Sequence, residues 1–139
     1  MAPARRQAPA EPIVLIVDDD HDARQIYGMF FRSKGWTAFT AVDGRSGIDK
    51  AIELKPDAIV LDLAMARVDG WTVLKELRDS SWTADIPVVV VSALQEARDE
   101  ALRTGADAYL TKPCAPDVVW TQIAALLRVR RQRSKLALS

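Results

Sequence analysis

Carboxylates gather where two predicted strands end. The apolar run Ile13–Val17 leads directly into Asp18, Asp19 and Asp20, and the run "AIVLDL" contains Asp62. Two carboxylates about 4 Å apart repel by roughly 4 kcal/mol at an effective dielectric constant of 20. A bound cation would offset that repulsion, and a set of oxygen ligands without His or Cys suits the hard ion Mg²⁺.

Two more polar side chains follow later strands. Ser92 lies in "IPVVVVSA" and Lys112 in "DAYLTKP". Lysine is a point charge that suits phosphate oxygens, and a serine hydroxyl can donate a hydrogen bond to them. The chain has one histidine and one cysteine, so it offers neither a Ser-His-Asp nor a Cys-His set. The remaining nucleophile is a carboxylate, which would form an acyl phosphate.

The hydrophobic pattern predicts five strands alternating with five helices. Uninterrupted β-branched runs indicate buried strands, and apolar spacings of three and four residues indicate helices that face a core. The strand segments are 13–17, 36–42, 58–63, 86–93 and 107–113, and the helices run from 23 to Gly35, 46–54, 71–78, 95–104 and 116–130. The first helix should turn Ile26 inward and the second Ile52. Such an alternation predicts a doubly wound α/β domain with a parallel sheet, in which ligands bind beyond the carboxyl ends of the strands.

Composition bounds the class of protein. The 139 residues, 49% of them apolar, suffice for one domain, and 19 basic residues balance 19 acidic ones. A single cysteine excludes an internal disulfide, and no apolar run is long enough to span a membrane, which together favour a cytoplasmic protein. We divide the chain into a flexible leader (1–12), a domain (13–130) and a basic tail (131–139).

The basic residues near the C-terminus leave two interpretations open. Arginine and lysine stand at positions 128, 130, 131, 133 and 135. They form either a solvated helix extension or a docking segment for an acidic partner. We do not expect nucleic acid as a partner, because no recognition helix accompanies them.

Four ordered motifs resemble the receiver domains of two-component response regulators. The motifs are "IVLIVDDD", "IVLDLAMARVDGW", "VVVVSA" and "GADAYLTKP", within a span of residues 12–128. The resemblance implies a CheY-like, flavodoxin-like fold with strand order 2-1-3-4-5. Strands one and three would then be neighbours, which would bring Asp18 and Asp19 beside Asp62.

The resemblance also implies a role for each acidic residue. Asp62 would be the phosphoacceptor. Asp19 and Asp62 would bind Mg²⁺ directly with the main-chain carbonyl of Ala64, and Asp18 would act mainly through water. Asp20 is equally suited to cap the first helix.

Three later residues match the family's remaining functional positions. Ser92 and Lys112 would contact the phosphoryl oxygens, and Tyr109 matches the switch aromatic that turns inward with Ser92. The bond between Lys112 and Pro113 is expected to be cis.

The function implied is that of a phosphorelay receiver rather than an enzyme. A sensor histidine kinase or a histidine phosphotransfer protein would phosphorylate Asp62, and a small phosphodonor would allow self-phosphorylation with Mg²⁺. A downstream protein would bind the face formed by the fourth helix, fifth strand and fifth helix. Two alternatives remain: an interaction domain that works without phosphorylation, and a phosphatase of the haloacid dehalogenase type. The phosphatases usually have a second Asp where this chain has Ala64.

The chain departs from the family pattern at several positions. Ala66 replaces a common proline, and Cys114 replaces a common phenylalanine, where it is either a small buried residue or a redox sensor. Ala64 and Leu94 occupy sites that are often polar in fast-cycling members. Neither side chain can orient an attacking water, so we expect slow autodephosphorylation.

Overall fold

The computed structural model describes residues 11–137, which form five strands and five helices in alternation. The proposed leader falls mostly on residues 1–10, and these lie outside the described residues. The strands are β1 (Ile13–Val17), β2 (Thr37–Ala41), β3 (Ala58–Leu61), β4 (Val88–Ser92) and β5 (Ala108–Thr111). The helices are α1 (His21–Ser33), α2 (Gly44–Leu54), α3 (Gly70–Asp79), α4 (Arg98–Thr104) and α5 (Pro116–Ala137).

The sheet is parallel and its order is β2-β1-β3-β4-β5, which confirms the predicted fold and topology. In the register of β1 with β3, Val17 lies opposite Leu61. The next residue along each strand is an aspartate, so Asp18 and Asp62 leave the sheet side by side. The strand order reverses between β1 and β3, and this is the position where doubly wound sheets bind ligands.

Strand β1 is buried on both faces, as its apolar run predicted. Leu15 and Val17 pack into the hydrophobic core on one side of the sheet, and Val14 and Ile16 into the core on the other. Because successive side chains of a strand point to opposite faces, β1 packs into the hydrophobic cores on both sides of the sheet. This fixes the position of the aspartates that follow it.

Two helices differ from the sequence prediction by three residues or more at one end. Helix α4 begins at Arg98 rather than Gln95, and Ala97 at its start provides no side-chain hydrogen bond to the free backbone N–H groups. Helix α5 continues to Ala137, past the predicted end at residue 130. Its added residues are mainly arginine, lysine, glutamine, leucine and alanine, which favour helix, and no glycine or proline interrupts them.

Two residues predicted to face the core are exposed instead. Ile26 is 54% exposed and Ile52 is 38% exposed. Helix α1 buries the narrower stripe of Tyr27, Gly28 and Phe31, and Ile26 lies beside that stripe rather than on it. The spacing of apolar residues therefore predicted a wider buried face than the sheet can cover. Among the described helices, none is long and apolar enough to cross a membrane.

Candidate functional site

Three aspartates meet at the carboxyl ends of β1 and β3. One carboxylate oxygen from each of Asp18, Asp19 and Asp62 lies within 4.8 Å of the others. Asp18 and Asp62 are 3% and 6% exposed, whereas Asp19 is open to solvent. The structure thus brings together the three acidic residues predicted to hold a metal, two of them buried and one facing the solvent.

Lys112 bridges the two buried carboxylates. Its Nζ atom donates to Oδ2 of Asp18 at 2.8 Å and lies 3.3 Å from Oδ2 of Asp62. Lys112 follows β5, at the far edge of the sheet, so its long side chain reaches across the end of β4 to the aspartates. The predicted proximity of Lys112 to the acidic cluster is present.

Burial and the contacts of Lys112 raise the pKa values of two residues in this cluster. Burial raises the pKa of Asp18, and the hydrogen bond from Lys112 opposes that rise without cancelling it. Burial lowers the pKa of Lys112, but its contacts with Asp18 and Asp62 outweigh burial and raise the pKa overall. The two pKa values are therefore raised for different reasons: burial dominates for Asp18, and the combined contacts with two carboxylates dominate for Lys112.

Backbone N–H groups orient the carboxylates. Asp18 accepts from the N–H of Asp20 at 2.9 Å, and Asp62 accepts from the N–H of Ala64 at 3.1 Å. The N–H of Ala66 donates to Asp19 at 3.2 Å. A proline at position 66, common in the resembling family, has no N–H and could not make this bond.

Asp20 belongs to helix α1 rather than to the acidic cluster. Its side chain accepts from the N–H of Asp22 at 3.2 Å and caps the helix. This is the capping role that the sequence allowed for it.

Ser92 and Tyr109 meet around residue 94. Ser92 is fully buried at the end of β4, and its Oγ atom accepts from the N–H of Leu94 at 3.3 Å. The Tyr109 hydroxyl donates to the main-chain oxygen of Leu94, and its ring is 8% exposed. Burial raises the pKa of Tyr109, against the opposing effect of a hydrogen bond with Ser92. Tyr109 therefore occupies an inward position beside the hydroxyl predicted to contact a phosphoryl group.

Three positioning residues were not singled out from the sequence. Arg24 of α1 donates to the main-chain oxygen of Asp18 at 2.9 Å, and the Tyr27 hydroxyl donates to the main-chain oxygen of Cys114 at 3.0 Å. Gly70 packs so closely under the loop after β3 that a Cβ atom there would overlap the carbonyl oxygen of Asp62. The one available signal was the Asp-Gly pair at 69–70, which is typical of a helix start or turn.

The loop after β5 contains two predicted features, the cis bond before Pro113 and the residue Cys114. The bond between Lys112 and Pro113 is cis, as expected. Cys114 is half-buried and packs against the core shared by α1 and α5. Burial raises the pKa of its thiol, which disfavours the reactive thiolate. The small-residue interpretation of Cys114 fits this environment.

The charge of the cluster fits a divalent cation. Three carboxylates and one ammonium group leave an excess of two negative charges, and the ligand atoms are all oxygen. Mg²⁺ commonly binds through one or two carboxylates and retains several waters, which suits the exposed position of Asp19.

Comparison with known proteins defines the class. Residues 14–124 match the family described as the response regulator receiver domain. The receiver domain of the Francisella response regulator 1452 has a similar structure, with a TM-score of 0.79 and 33% identity over 86% of this chain and 99% of that one. The Vibrio cholerae chemotaxis protein CheY4 gives a TM-score of 0.78 and 28% identity, over 84% of this chain and 98% of that one. The chain therefore belongs to the response regulator receiver family, a family of signalling domains.

Curated relatives are longer than this chain. It is 40% identical over 119 residues to the DNA-binding dual master transcriptional regulator RpaA of Synechocystis, covering 84% of this chain and 49% of RpaA. It is 41% identical over 121 residues to the transcriptional regulatory protein PrrA of Mycobacterium tuberculosis, covering 86% of this chain and 51% of PrrA. The chain thus spans about half the length of these relatives. Because RpaA is named as DNA-binding, our expectation against a nucleic-acid partner is not borne out for that full-length relative.

Proposed function

We propose that Asp62 accepts a phosphoryl group from a phosphohistidine of a sensor kinase or a histidine phosphotransfer protein. The observation that carries this proposal is the position of its carboxylate. Asp62 is buried at the strand crossover, shares a cluster with Asp18 and Asp19, and contacts the Lys112 ammonium group. A carboxylate held next to fixed positive charge suits a reaction that adds phosphoryl oxygens at this point.

The transfer requires one bond to form and one to break. An oxygen of Asp62 forms a bond to phosphorus while the bond between phosphorus and the donor's imidazole nitrogen breaks, and the imidazole leaves. The Ala64 N–H holds the Asp62 carboxylate in orientation, and Lys112 and Ser92 provide donors for the phosphoryl oxygens. When bound by Asp18, Asp19, Asp62 and the Ala64 carbonyl, Mg²⁺ would neutralise charge on the phosphoryl group.

We infer that phosphorylation changes the surface through Ser92 and Tyr109. A phosphoryl group on Asp62 would attract the Ser92 hydroxyl, which now accepts from Leu94 N–H. Movement of Ser92 would disturb the main chain at Leu94, to which Tyr109 is hydrogen-bonded. This would shift an existing equilibrium between two conformations of the face formed by α4, β5 and α5. A downstream protein would read that face in the cytoplasm. The names of the relatives support transcription control as one output.

Intact mass spectrometry tests the proposal. The full chain is incubated with acetyl phosphate and Mg²⁺, and we expect a gain of one phosphoryl group in the wild type. Asp62→Asn should show no gain, because the amide is not a nucleophile. Asp79→Asn is the matched control, since Asp79 is an exposed residue at the end of α3, and it should gain the group as the wild type does.

The alternatives predict different results. A wild-type protein that gains no phosphoryl group from acetyl phosphate or from a phosphorylated histidine donor would support the interaction domain that works without phosphorylation. A gain that persists in Asp62→Asn would place the phosphoacceptor elsewhere. Family membership already argues against the haloacid dehalogenase type of phosphatase.

A further inference from the structure

A cleft of about 550 Å³ lies at the edge of the sheet opposite the acidic cluster. One wall is a face of α5, with Leu126, Val129, Arg130 and Arg133. The other wall is formed by the loop before β4 and by the residues just before β4 and β5. We call this site the α5 cleft. It lies at the amino ends of the strands, whereas the acidic cluster lies at their carboxyl ends, so the two sites are separate.

The arginine on the sheet side of the α5 cleft is already neutralised. Arg78 donates to three main-chain oxygens, those of Ala84, Ile86 and Gly105, at 2.8 to 3.0 Å. It also forms an ion pair of 2.9 Å with Asp107. Arg78 therefore fixes the wall of the cleft and leaves little charge for a ligand.

The arginines on the helix side are available. Within the part of the chain that the structure describes, Arg130 and Arg133 form no hydrogen bond or ion pair. Among the described residues that line the cleft, the remaining charged side chains are Asp85, which is exposed, and the paired Arg78 and Asp107. The side chains that line the cleft thus carry a net positive charge.

Apolar surface lies beside these cations. Leu126 is partly buried against the core, and Val129 is 46% exposed. Across the cleft stand Ala84 and Pro87. Positions 126, 129, 130 and 133 share one face of a helix because they are three and four residues apart. The cleft therefore combines an apolar floor with two cations on one side.

Charge decides between the occupants. The sequence holds no acidic residue after Asp117, while five basic residues follow it. A second copy pairing along α5 would bring like charges together, which is unfavourable. A nucleic-acid backbone would satisfy the arginines but has no apolar side chain for Leu126 and Val129. An acidic protein segment satisfies both.

We propose that the α5 cleft binds an acidic segment of a partner protein. Its apolar side chains pack against Leu126 and Val129, and its carboxylates pair with Arg130 and Arg133. The cleft shares α5 with the face that phosphorylation is proposed to switch, but it lies at the amino ends of the strands, and binding there requires no phosphoryl group on Asp62.

Fluorescence anisotropy with a synthetic probe tests the proposal. The probe is a labelled peptide of glutamate and leucine at amphipathic helical spacing, added to the full chain. Arg130→Gln/Arg133→Gln should weaken binding about tenfold or more, because charge-assisted hydrogen bonds are lost. The control Arg128→Gln/Arg131→Gln removes the same charge from the opposite face of the helix and should weaken binding by less than about threefold. Glutamine favours helix as arginine does, so both variants keep α5.

Three further measurements complete the test. Val129→Thr, which keeps the shape and adds a hydroxyl, should weaken binding several-fold. A peptide of the same composition without amphipathic spacing should bind more weakly than the probe. Asp62→Asn should bind the probe as the wild type does, so a failure here is distinguishable from a failure of the proposed phosphorylation.

The contrary outcomes are specific. No saturable binding of the probe overturns the proposal, and so does an equal loss in the two arginine pairs, which would indicate attraction by charge alone. A duplex DNA that binds more tightly than the probe, with a steep dependence on salt, would assign the surface to nucleic acid instead.

Discussion

Lys112 lies between two buried aspartates and contacts both. A lone buried carboxylate is expensive, and a buried pair would repel strongly without a counter-charge. The ammonium group of Lys112 compensates one negative charge and leaves the rest. The carboxylates that the proposed chemistry requires therefore lower the stability of the fold, and the competition between these two demands should be relieved by a bound divalent cation.

This competition predicts that Mg²⁺ stabilises the fold. At a Mg²⁺ concentration ten times its Kd, the gain should be about 1.4 kcal/mol, or roughly 3–5 °C in melting temperature. Asp19→Asn should show a smaller rise, because one ligand charge is lost. Calorimetry measures both, and Asp22→Asn is the control, since it removes an exposed charge from the first turn of α1 outside the cluster. Equal rises in the wild type and Asp19→Asn would contradict the role of Asp19.

Residues 64 and 94 should set the lifetime of the acyl phosphate. Ala64 and Leu94 are both exposed near the site, and neither side chain can hydrogen-bond a water. We expect Ala64→Asn/Leu94→Glu to speed dephosphorylation by about tenfold, since positioned polar groups contribute up to roughly 10²–10⁴-fold to proton transfers. Loss of the phosphoryl group over time, followed by intact mass, gives the rate.

The control for this double variant is a change with the same chemistry elsewhere. Ala66→Asn lies two residues further along the loop and should leave the decay rate within about twofold of the wild type. A decay rate unchanged in Ala64→Asn/Leu94→Glu would remove the hypothesis that these sites protect the bond.

At the scale of single residues, the sequence predicted the side chains of the site better than the main-chain atoms with which side chains form hydrogen bonds. Charged residues next to buried strands are energetically costly, so their presence in a sequence indicates a functional site. This reasoning identified Asp18, Asp19, Asp62 and Lys112. The hydrogen bond from Tyr27 to the Cys114 carbonyl could not be predicted from the sequence, because every residue has a carbonyl group. Which carbonyl meets the hydroxyl depends on how α1 packs against the loop after β5.

At the scale of elements, the loop from β3 to α3 is held in place by Gly70. Its N–H donates to the Leu63 carbonyl at 3.0 Å, and its missing side chain allows the main chain of Asp62 and Leu63 to pass close by. The start of helix α3 therefore supports the segment that carries the proposed phosphoacceptor.

Gly70→Ala should test that support. The added methyl group would overlap main-chain atoms that cannot move freely, and we expect a loss of about 1–3 kcal/mol in the free energy of unfolding, typical of overpacking. Urea denaturation measures the loss, and phosphorylation from acetyl phosphate should slow as well. The control is Gly28→Ala in α1, where the added methyl meets only the end of the Arg32 side chain. That variant should be neutral or slightly more stable, and equal losses in both would argue against a special role for Gly70.

The elements themselves were predicted well and their ends less so. Asp20, Asp43 and Asp69 cap α1, α2 and α3, and aspartate before an apolar helical pattern is a recognisable start signal. Helix α4 has no such cap, and its start was misplaced by three residues. Helix α5 has no stop signal after residue 130, so its extension could have been expected from the absence of glycine and proline.

At the scale of the whole molecule, the fold separates two sites along the strand direction. The acidic cluster lies at the carboxyl ends of the strands, and the α5 cleft lies at their amino ends. The strand order was predicted through the family resemblance that the motifs carry, and that order makes Asp18 and Asp62 neighbours. The cleft was not, because it depends on how far α5 runs past the sheet and on which of its faces turns toward β4 and β5. The domain boundaries that we assigned stay a prediction.

The basic extension of α5 gives an electrically neutral chain a pronounced polarity. The first 117 residues hold 14 of the 19 basic residues and all 19 acidic ones, and the last 22 hold the other five basic residues. Because α5 ends at the edge opposite the aspartates, its basic residues and the acidic cluster lie at opposite ends of the strands. In the field of a charged partner this molecule would rotate before contact, with its aspartates turned toward a basic surface and its arginines toward an acidic one. Its net charge alone would predict no orientation at all.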